Sequence, residues 1–327
     1  MNRTADRIRY VLAWTALLLP MHGAWAAEAA YPVRPIRMIV PFVAGGGTDL
    51  LARLITPRLG ELLGQQIVID NRGGGGSILG TQLLSKSPPD GYTVAMFDTA
   101  FAINPGFAEK LPYDVERDFT FVAIIATSPT VLVAYAGLKV RSLQELIAAA
   151  KASPGRIRAA SAGVGSSSHL TIEMLSAATK IKLLHVPYKG AGAAIQDMVG
   201  GHADLTFAVA GSVIAQIQAG TLIPLAVTGK KPSALLPSVP TFAAAGYPEV
   251  NPEAFRFVAA PAGLPAPVNQ KLTAALTTIM AVPELRTRLI DNGFDPEFQT
   301  GAEAREFVVR EIRKWRQAVK ESGAKPN

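Results

Sequence analysis

The sequence predicts an α/β fold with enough residues for two domains, called lobes below. Four short apolar runs are each followed by a loop of small residues and then by a helical pattern, and the loops span about residues 41–49, 71–77, 162–168 and 187–192. Two extended apolar segments would carry the chain between lobes. Loops that follow parallel strands gather at the carboxyl edge of a sheet, so the four loops are expected to face one cleft.

The first junction carries the most information. Residues 36–40 alternate as a strand does, and apolar residues recur at helical spacing across residues 51–62. Thr48 and Asp49 stand where a helix cap is expected. The first N–H groups of a helix lie at the positive end of its dipole, where they bind a carboxylate or phosphate without a charged side chain. This junction therefore predicts an anion-binding loop, with Asp49 as a cap or dipole partner.

The other junctions repeat this arrangement with hydroxyl groups added. Glycines fill residues 73–76, and serines follow the glycines in residues 163–168. Thr99 follows a strand predicted over residues 93–97, and Tyr188 precedes the last glycine loop. Each position also fits an ordinary capping or turn residue, so the prediction of ligand contact depends on their shared place at strand ends.

The N-terminal segment predicts export. Three arginines precede an apolar run at residues 11–21, and Ala24-Trp25-Ala26 supplies an A-x-A cleavage pattern. Residues 1–26 are therefore predicted to be a secretory signal peptide, and the mature chain is expected in the periplasm. The sequence has no cysteine and a net charge of +7 without a lysine or arginine cluster, which argues against disulfides, thiolate metal sites and nucleic-acid binding.

Common enzyme signatures are missing. The sequence has no G-x-S-x-G elbow, its glycine loops do not fit G-x-G-x-x-G, and the histidines after the signal never pair at i, i+4. The sequence therefore predicts no catalysis, no cofactor and no metal. A secreted α/β hydrolase that uses Ser166 or Ser167 is the alternative from another class of protein, and a serine-reactive probe would detect it.

The chain is expected to form lobe one from residues 31–130 and 256–323, and lobe two from residues 131–255. The apolar segment at residues 121–133, which contains Pro129, is predicted to be a strand that crosses between lobes, and residues 255–261 return the chain. Two extended crossings make a hinge, and closure about a hinge buries a ligand in the cleft.

The chain resembles the substrate-binding proteins of tripartite tricarboxylate transporters, also called the Bug family of periplasmic solute receptors, over about residues 31–323. The resemblance is carried by the order and spacing of many short motifs. They include Pro41-Phe42 with Gly45-Gly46 and Asp49, Asp70-Asn71-Arg72, Asp90-Gly91-Tyr92, Asn104-Pro105, Gly165-Ser166-Ser167-Ser168-His169-Leu170, His185-Val186-Pro187-Tyr188-Lys189-Gly190 and Lys314-Trp315.

The resemblance implies a type II, Venus-flytrap periplasmic binding fold that holds a small carboxylate between its lobes. It also implies delivery of the ligand, by a monomeric receptor, to a large and a small membrane subunit driven by an ion gradient. Together, the loops and the resemblance predict ligand contacts from small, hydroxyl and aromatic residues. These are Phe42, Ala44, Gly45, Gly46, Thr48, Gly75, Thr99, Ala100, Gly163, Gly165, Ser166, Ser167, Tyr188 and Ala208.

Two departures from the family pattern bear on the ligand. Ala208 stands where family members often have an aspartate that can meet an amino group, which argues against an amino-acid ligand. Phe255-Arg256-Phe257 stands where Trp-x-Gly is common. The added bulk favours an aromatic or less polar acid, and Arg256 is a candidate partner for a second carboxylate, although the sequence does not fix where its side chain points.

The expected function is therefore reception of a small carboxylate, with aromatic and dicarboxylic acids as candidates. The alternative within binding proteins is a ligand-sensing partner of a membrane signalling protein.

Overall fold

The computed structural model describes residues 31–108, 110–229, 231–252 and 254–322. The predicted signal peptide lies outside these residues. Two sheets, each covered by helices on both faces, form the two lobes, as the sequence predicted. No helix in the described part of the chain combines the length and the apolar character that a membrane crossing requires.

The first sheet contains six strands in the spatial order β11-β4-β10-β3-β1-β2. Strands β1, β2 and β3 are parallel, and β10 runs antiparallel to β3 and β4. The strands are β1 (Ile36–Val40), β2 (Ile67–Asn71), β3 (Thr93–Asp98), β4 (Phe119–Ser128), β10 (Ala254–Pro261) and β11 (Asp295–Thr300).

Helices pack on both faces of this sheet. An aromatic cluster around Phe97, Phe101 and Phe257 fills one face, and the long α1 helix covers the other with Leu51 and Ile55. The helices of this lobe are α1 (Gly47–Leu63), α2 (Ile78–Ser85), α3 (Ala100–Phe107), α8 (Ala266–Met280), α9 (Pro283–Ile290) and α10 (Gly301–Ser322).

The second sheet contains five strands in the order β7-β6-β8-β5-β9, with β7, β6 and β8 parallel. The strands are β5 (Thr130–Tyr135), β6 (Arg158–Ser161), β7 (Leu184–Pro187), β8 (Leu205–Val209) and β9 (Leu222–Val227). Its helices are α4 (Leu143–Ala152), α5 (Ser167–Thr179), α6 (Ala191–Val199) and α7 (Ile214–Gln218). The carboxyl ends of its parallel strands lead into the predicted small-residue loops.

The chain passes from the first sheet to the second at Pro129. The segment predicted as one crossing strand is two strands, β4 and β5, one in each sheet. Pro129 separates them because proline has no N–H group to donate to a ladder. The chain returns to the first sheet at β10, near the predicted position. Where the lobes divide, at residues 130 and 255, remains a prediction.

Candidate functional site

A small cavity of about 40 Å³ lies between the two lobes. Three helices begin at its wall: α1 from the first lobe, and α5 and α6 from the second. Five of the predicted contacts line it, namely Phe42, Gly46, Thr48, Ser167 and Ala208. Helix N-termini from both lobes thus converge on one point, where their amides and dipoles favour an anion.

The α1 loop is held in place by a buried carboxylate. Gly46 caps α1 without a side-chain hydrogen bond, which leaves the first amides of the helix available. The amide of Gly45 is not among them, because it donates to Asp49 Oδ2 at 3.0 Å. Asp49 also accepts from Arg53 and Asn71. Although burial opposes its charge, these hydrogen bonds lower the pKa of Asp49, so it stays ionised and fixes the loop.

The α5 loop brings serine hydroxyls to the cavity. Ser166 caps α5 by accepting from the amide of His169, and Ser168 Oγ accepts from the amide of Ala162 at 2.9 Å. Ser167 and Ser168 line the cavity wall. Gly165 donates its amide to His169 Nδ1 at 3.3 Å. That ring nitrogen is therefore occupied, and the capping hydroxyl of Ser166 has no imidazole base among its hydrogen-bond partners in the described residues.

Glycines make the closed arrangement of the lobes possible. The amide of Val43 donates to the carbonyl of Lys189 across the cleft at 3.2 Å. A β-carbon at Gly73 would overlap that same carbonyl, one at Gly76 would overlap the carbonyl of Val164, and one at Gly192 would overlap that of Ala44. Only glycine permits such close approach of backbones, so these three glycines, none of them among the predicted ligand contacts, serve as interlobe contacts.

The remaining predicted positions near the first lobe differ in their setting. Thr99 lines a second small cavity next to the first, and its hydroxyl accepts from the amide of Phe255 at 2.9 Å. The amide of Ala100 donates to Asp98 Oδ1. Gly75 lies in a 3₁₀ turn before α2, and Ala44 touches Gly192 through its carbonyl.

The remaining predicted positions in the second lobe lie around its two glycine loops. Gly163 approaches the backbones of Gly76 and Tyr188, and Gly165 approaches the side chain of Asn104 from the other lobe. The hydroxyl of Tyr188 donates to Asp197, so this phenol already has a partner within its own lobe. Ligand contact by any of these residues remains a prediction.

Asp98 and Arg256 form a charged pair beneath the cavity, of which only Arg256 was named from the sequence. Asp98 and Arg256 are register neighbours on β3 and β10, and both line the cavity. Burial raises the pKa of Asp98, which the charge of Arg256 and hydrogen bonds from Ala100 and Thr48 partly offset. Burial also lowers the pKa of Arg256 to about 10, so the guanidinium remains charged at neutral pH. A polar residue at the end of β3 was the available sequence signal for Asp98.

Two histidines nearby do not form a metal or catalytic site. His169 and His185 stack with ring centroids 4.0 Å apart, and Ser161 Oγ lies 2.6 Å from His185 Nε2. His185 Nδ1 has no hydrogen-bond partner within the described residues, so no carboxylate orients this ring as a catalytic triad requires. The described part of the chain contains no cluster of three His, Asp or Glu side chains suited to a metal.

Comparison with known proteins places these features in a family. Residues 51–324 match the model of the tripartite tricarboxylate transporter family receptor. BugT of Bordetella pertussis is 35% identical, over 96% of this chain and 98% of that protein. The structure of R. palustris Rpa4515 with adipate is 32% identical with a TM-score of 0.87, covering 91% of this chain and all of that one.

A second solved structure supports the same assignment. MatC (Rpa3494) from Rhodopseudomonas palustris with bound malate is 31% identical with a TM-score of 0.83, covering 88% of this chain and 100% of that one. The family consists of receptors, so the chain is a substrate-binding protein rather than an enzyme, and the hydrolase alternative is not supported. The chain belongs to the tripartite tricarboxylate transporter family of receptors, within its Bug group.

Proposed function

We propose that this protein is a periplasmic receptor that binds a small carboxylate between its lobes and delivers it to a tripartite tricarboxylate-type transporter. The observation that carries the proposal is the convergence of α1, α5 and α6 N-termini, from both lobes, on one small cavity between them. A carboxylate held there would accept hydrogen bonds from both lobes at once. Bound ligand would therefore stabilise the closed arrangement over an open one.

The interlobe contacts explain how binding is coupled to closure. The lobes meet through backbone and glycine contacts, including Val43 with Lys189 and Gly192 with Ala44, and second-lobe Val209 and Leu170 pack into the apolar clusters of the first lobe. A ligand that bridges the lobes would add hydrogen bonds to these contacts only in the closed form, which couples binding to closure. A closed receptor would then present a shape to the membrane subunits that the open form lacks.

Different observations support export and the ligand class. The signal-peptide pattern over residues 1–26 and membership of this receptor family both fit the periplasm. Two related structures hold adipate and malate, and this supports a small dicarboxylic acid as the ligand class. Partnership with one large and one small membrane subunit follows from the family alone, and the receptor is expected to act as a monomer.

A thermal-shift screen of the mature protein, from Ala27 onward, tests the proposal. The panel contains mono-, di- and tricarboxylates and aromatic acids, with amino acids and sugars as matched neutral or zwitterionic controls. An acid at 100 times its dissociation constant stabilises the folded protein by about 2.7 kcal/mol, which raises the midpoint by several degrees. Shifts with sugars and none with any acid would refute carboxylate reception.

A further inference from the structure

We propose that Arg256 is the specificity-determining residue of the cleft, and that it takes the second acidic group of a small dicarboxylate. This inference rests on the proposed function, since it assigns the ligand class of the same cavity. Arg256 lies on the central strand β10, beside Asp98 of β3 and Ala126 of β4. Its guanidinium is thereby placed at the floor of the cavity, beneath the first turn of α1.

The position of the guanidinium is fixed by its neighbours. The residue is 4% exposed, and it is part of the cavity wall. A β-carbon added at Gly47 would lie 3.0 Å from Nη2, so the guanidinium reaches the N-terminus of α1. The ring of Phe294 flanks it from the other side, with the guanidinium carbon 5.2 Å from the ring centroid. The side chain is therefore enclosed by protein on most sides.

Arg256 has one side-chain hydrogen-bond partner within the described residues. A guanidinium carries five N–H donors. Nη1 donates to Ser128 Oγ, whereas Nε is buried and has no partner within the described residues. A buried donor without a partner costs free energy that a bound acceptor would recover. The geometry of a guanidinium matches a carboxylate, which can accept two of its N–H groups side by side.

Asp98 does not use up this charge. Its two oxygens accept from the amide of Ala100 at 2.9 Å and from Thr48 Oγ1 at 3.3 Å. The interaction of Asp98 with Arg256 is a coulombic one, and neither oxygen of Asp98 accepts a hydrogen bond from the guanidinium. Asp98 thus acts on Arg256 without a direct hydrogen bond. The guanidinium remains open to a second, directly hydrogen-bonded anion.

The two kinds of donor suit two acidic groups. One carboxylate is taken by the amides and hydroxyls at the starts of α1, α5 and α6, which need no charged side chain. The guanidinium supplies the buried cation that a second carboxylate requires in order to leave water. A monocarboxylate would leave Arg256 with its unpaired donor, so the cleft should select against it.

Calorimetric titration of the mature protein at pH 7 and fixed ionic strength tests this assignment. The ligands are succinate, glutarate and adipate, each paired with the monocarboxylate of equal carbon number. The wild type is compared with R256Q, R256K and D98N/R256Q. R256K keeps the positive charge but loses the two parallel N–H donors of the guanidinium. The double variant replaces both charged groups by neutral amides, so it avoids a buried unpaired Asp98 if R256Q alone folds poorly.

The expected result is selective. R256Q and D98N/R256Q should lose at least about 30-fold in affinity for the preferred dicarboxylate, and no more than about threefold for its monocarboxylate. R256K should fall between them and the wild type. Equal losses for both members of a pair, or an undiminished preference in D98N/R256Q, would overturn the role of Arg256 while leaving reception intact. Failure of every acid to bind the wild type would overturn the proposed function itself.

Discussion

The substitution Gly192→Ala tests whether the close approach of the lobes is needed for binding. Gly192 is the second residue of α6, where its backbone is helical and alanine is the better helix former by up to about 1 kcal/mol. In the closed arrangement, however, the added β-carbon would lie 1.9 Å from the carbonyl oxygen of Ala44 in the other lobe. Such contacts do not occur below about 3 Å, so the loop or the lobe must move.

The expected cost falls on the closed form alone. Overpacking of a well-packed contact costs about 1–3 kcal/mol, and an open form does not bring Ala44 near α6. Ligand affinity should therefore fall about 5- to 150-fold, while the midpoint of thermal unfolding without ligand stays equal or rises. Calorimetric titration with the tightest acid of the panel, together with unfolding curves, measures both quantities.

Gly200→Ala is the matched control. Gly200 ends the same helix with φ −74°, and its nearest neighbour is the exposed ring of His202 rather than the other lobe. This variant should bind as the wild type does. Unchanged affinity in Gly192→Ala would refute the reasoning, because it would mean that the ligand-bound lobes do not meet at this point. A loss of stability without ligand would instead show that α6 was damaged directly.

Three further changes have defined outcomes. Asp49→Ala releases the amide of Gly45 and the side chain of Arg53 from the carboxylate that holds them. Calorimetry should therefore show a binding free energy weaker by about 1–3 kcal/mol, with little change in the far-ultraviolet circular dichroism spectrum. Unchanged affinity would show that the loop is rigid without Asp49. Ala208→Asp places a carboxylate in the cavity wall, and should weaken dicarboxylates while admitting an amino-dicarboxylate; an unaltered ligand range would remove the argument from this position. Burial, helped by the neighbouring His185, lowers the pKa of His169 from 6.5 to about 4. The unfolded chain therefore binds the proton more readily, and stability should fall by on the order of 3 kcal/mol as pH drops from 6.5 to 4. Urea unfolding of His169→Gln should show a smaller fall over that range, and an identical fall would contradict this cause.

The local features of the fold could be predicted from the sequence because their signals lie within a few residues. The strand, glycine loop and helix around residues 41–49 are encoded by adjacent apolar, glycine and capping residues, and the structure has them where the pattern indicated. The prediction for the crossing segment at residues 121–133 was less accurate, because a proline within an apolar run does not show that each half joins a different sheet.

Contacts between distant residues could not be predicted in this way. Asp98 and Arg256 become neighbours only through the antiparallel register of β3 and β10, which no local pattern encodes. The same limit applies to the amide of Gly45, which meets Asp49 in the folded loop and is not directed at a ligand. The glycines of the two lobes are required for the same reason, which is the close approach of backbones across the cleft. This reason is visible only once both lobes are placed together.

A crystal structure of the mature protein with the acid that gives the largest thermal shift tests the central claim most directly. The account predicts closed lobes, with one carboxylate about 2.7–3.1 Å from amides at the starts of α1 and α5 or α6, and a second acidic group on Arg256. A ligand bound outside the interlobe cavity, or held by one lobe alone with no amide from the other, would contradict it.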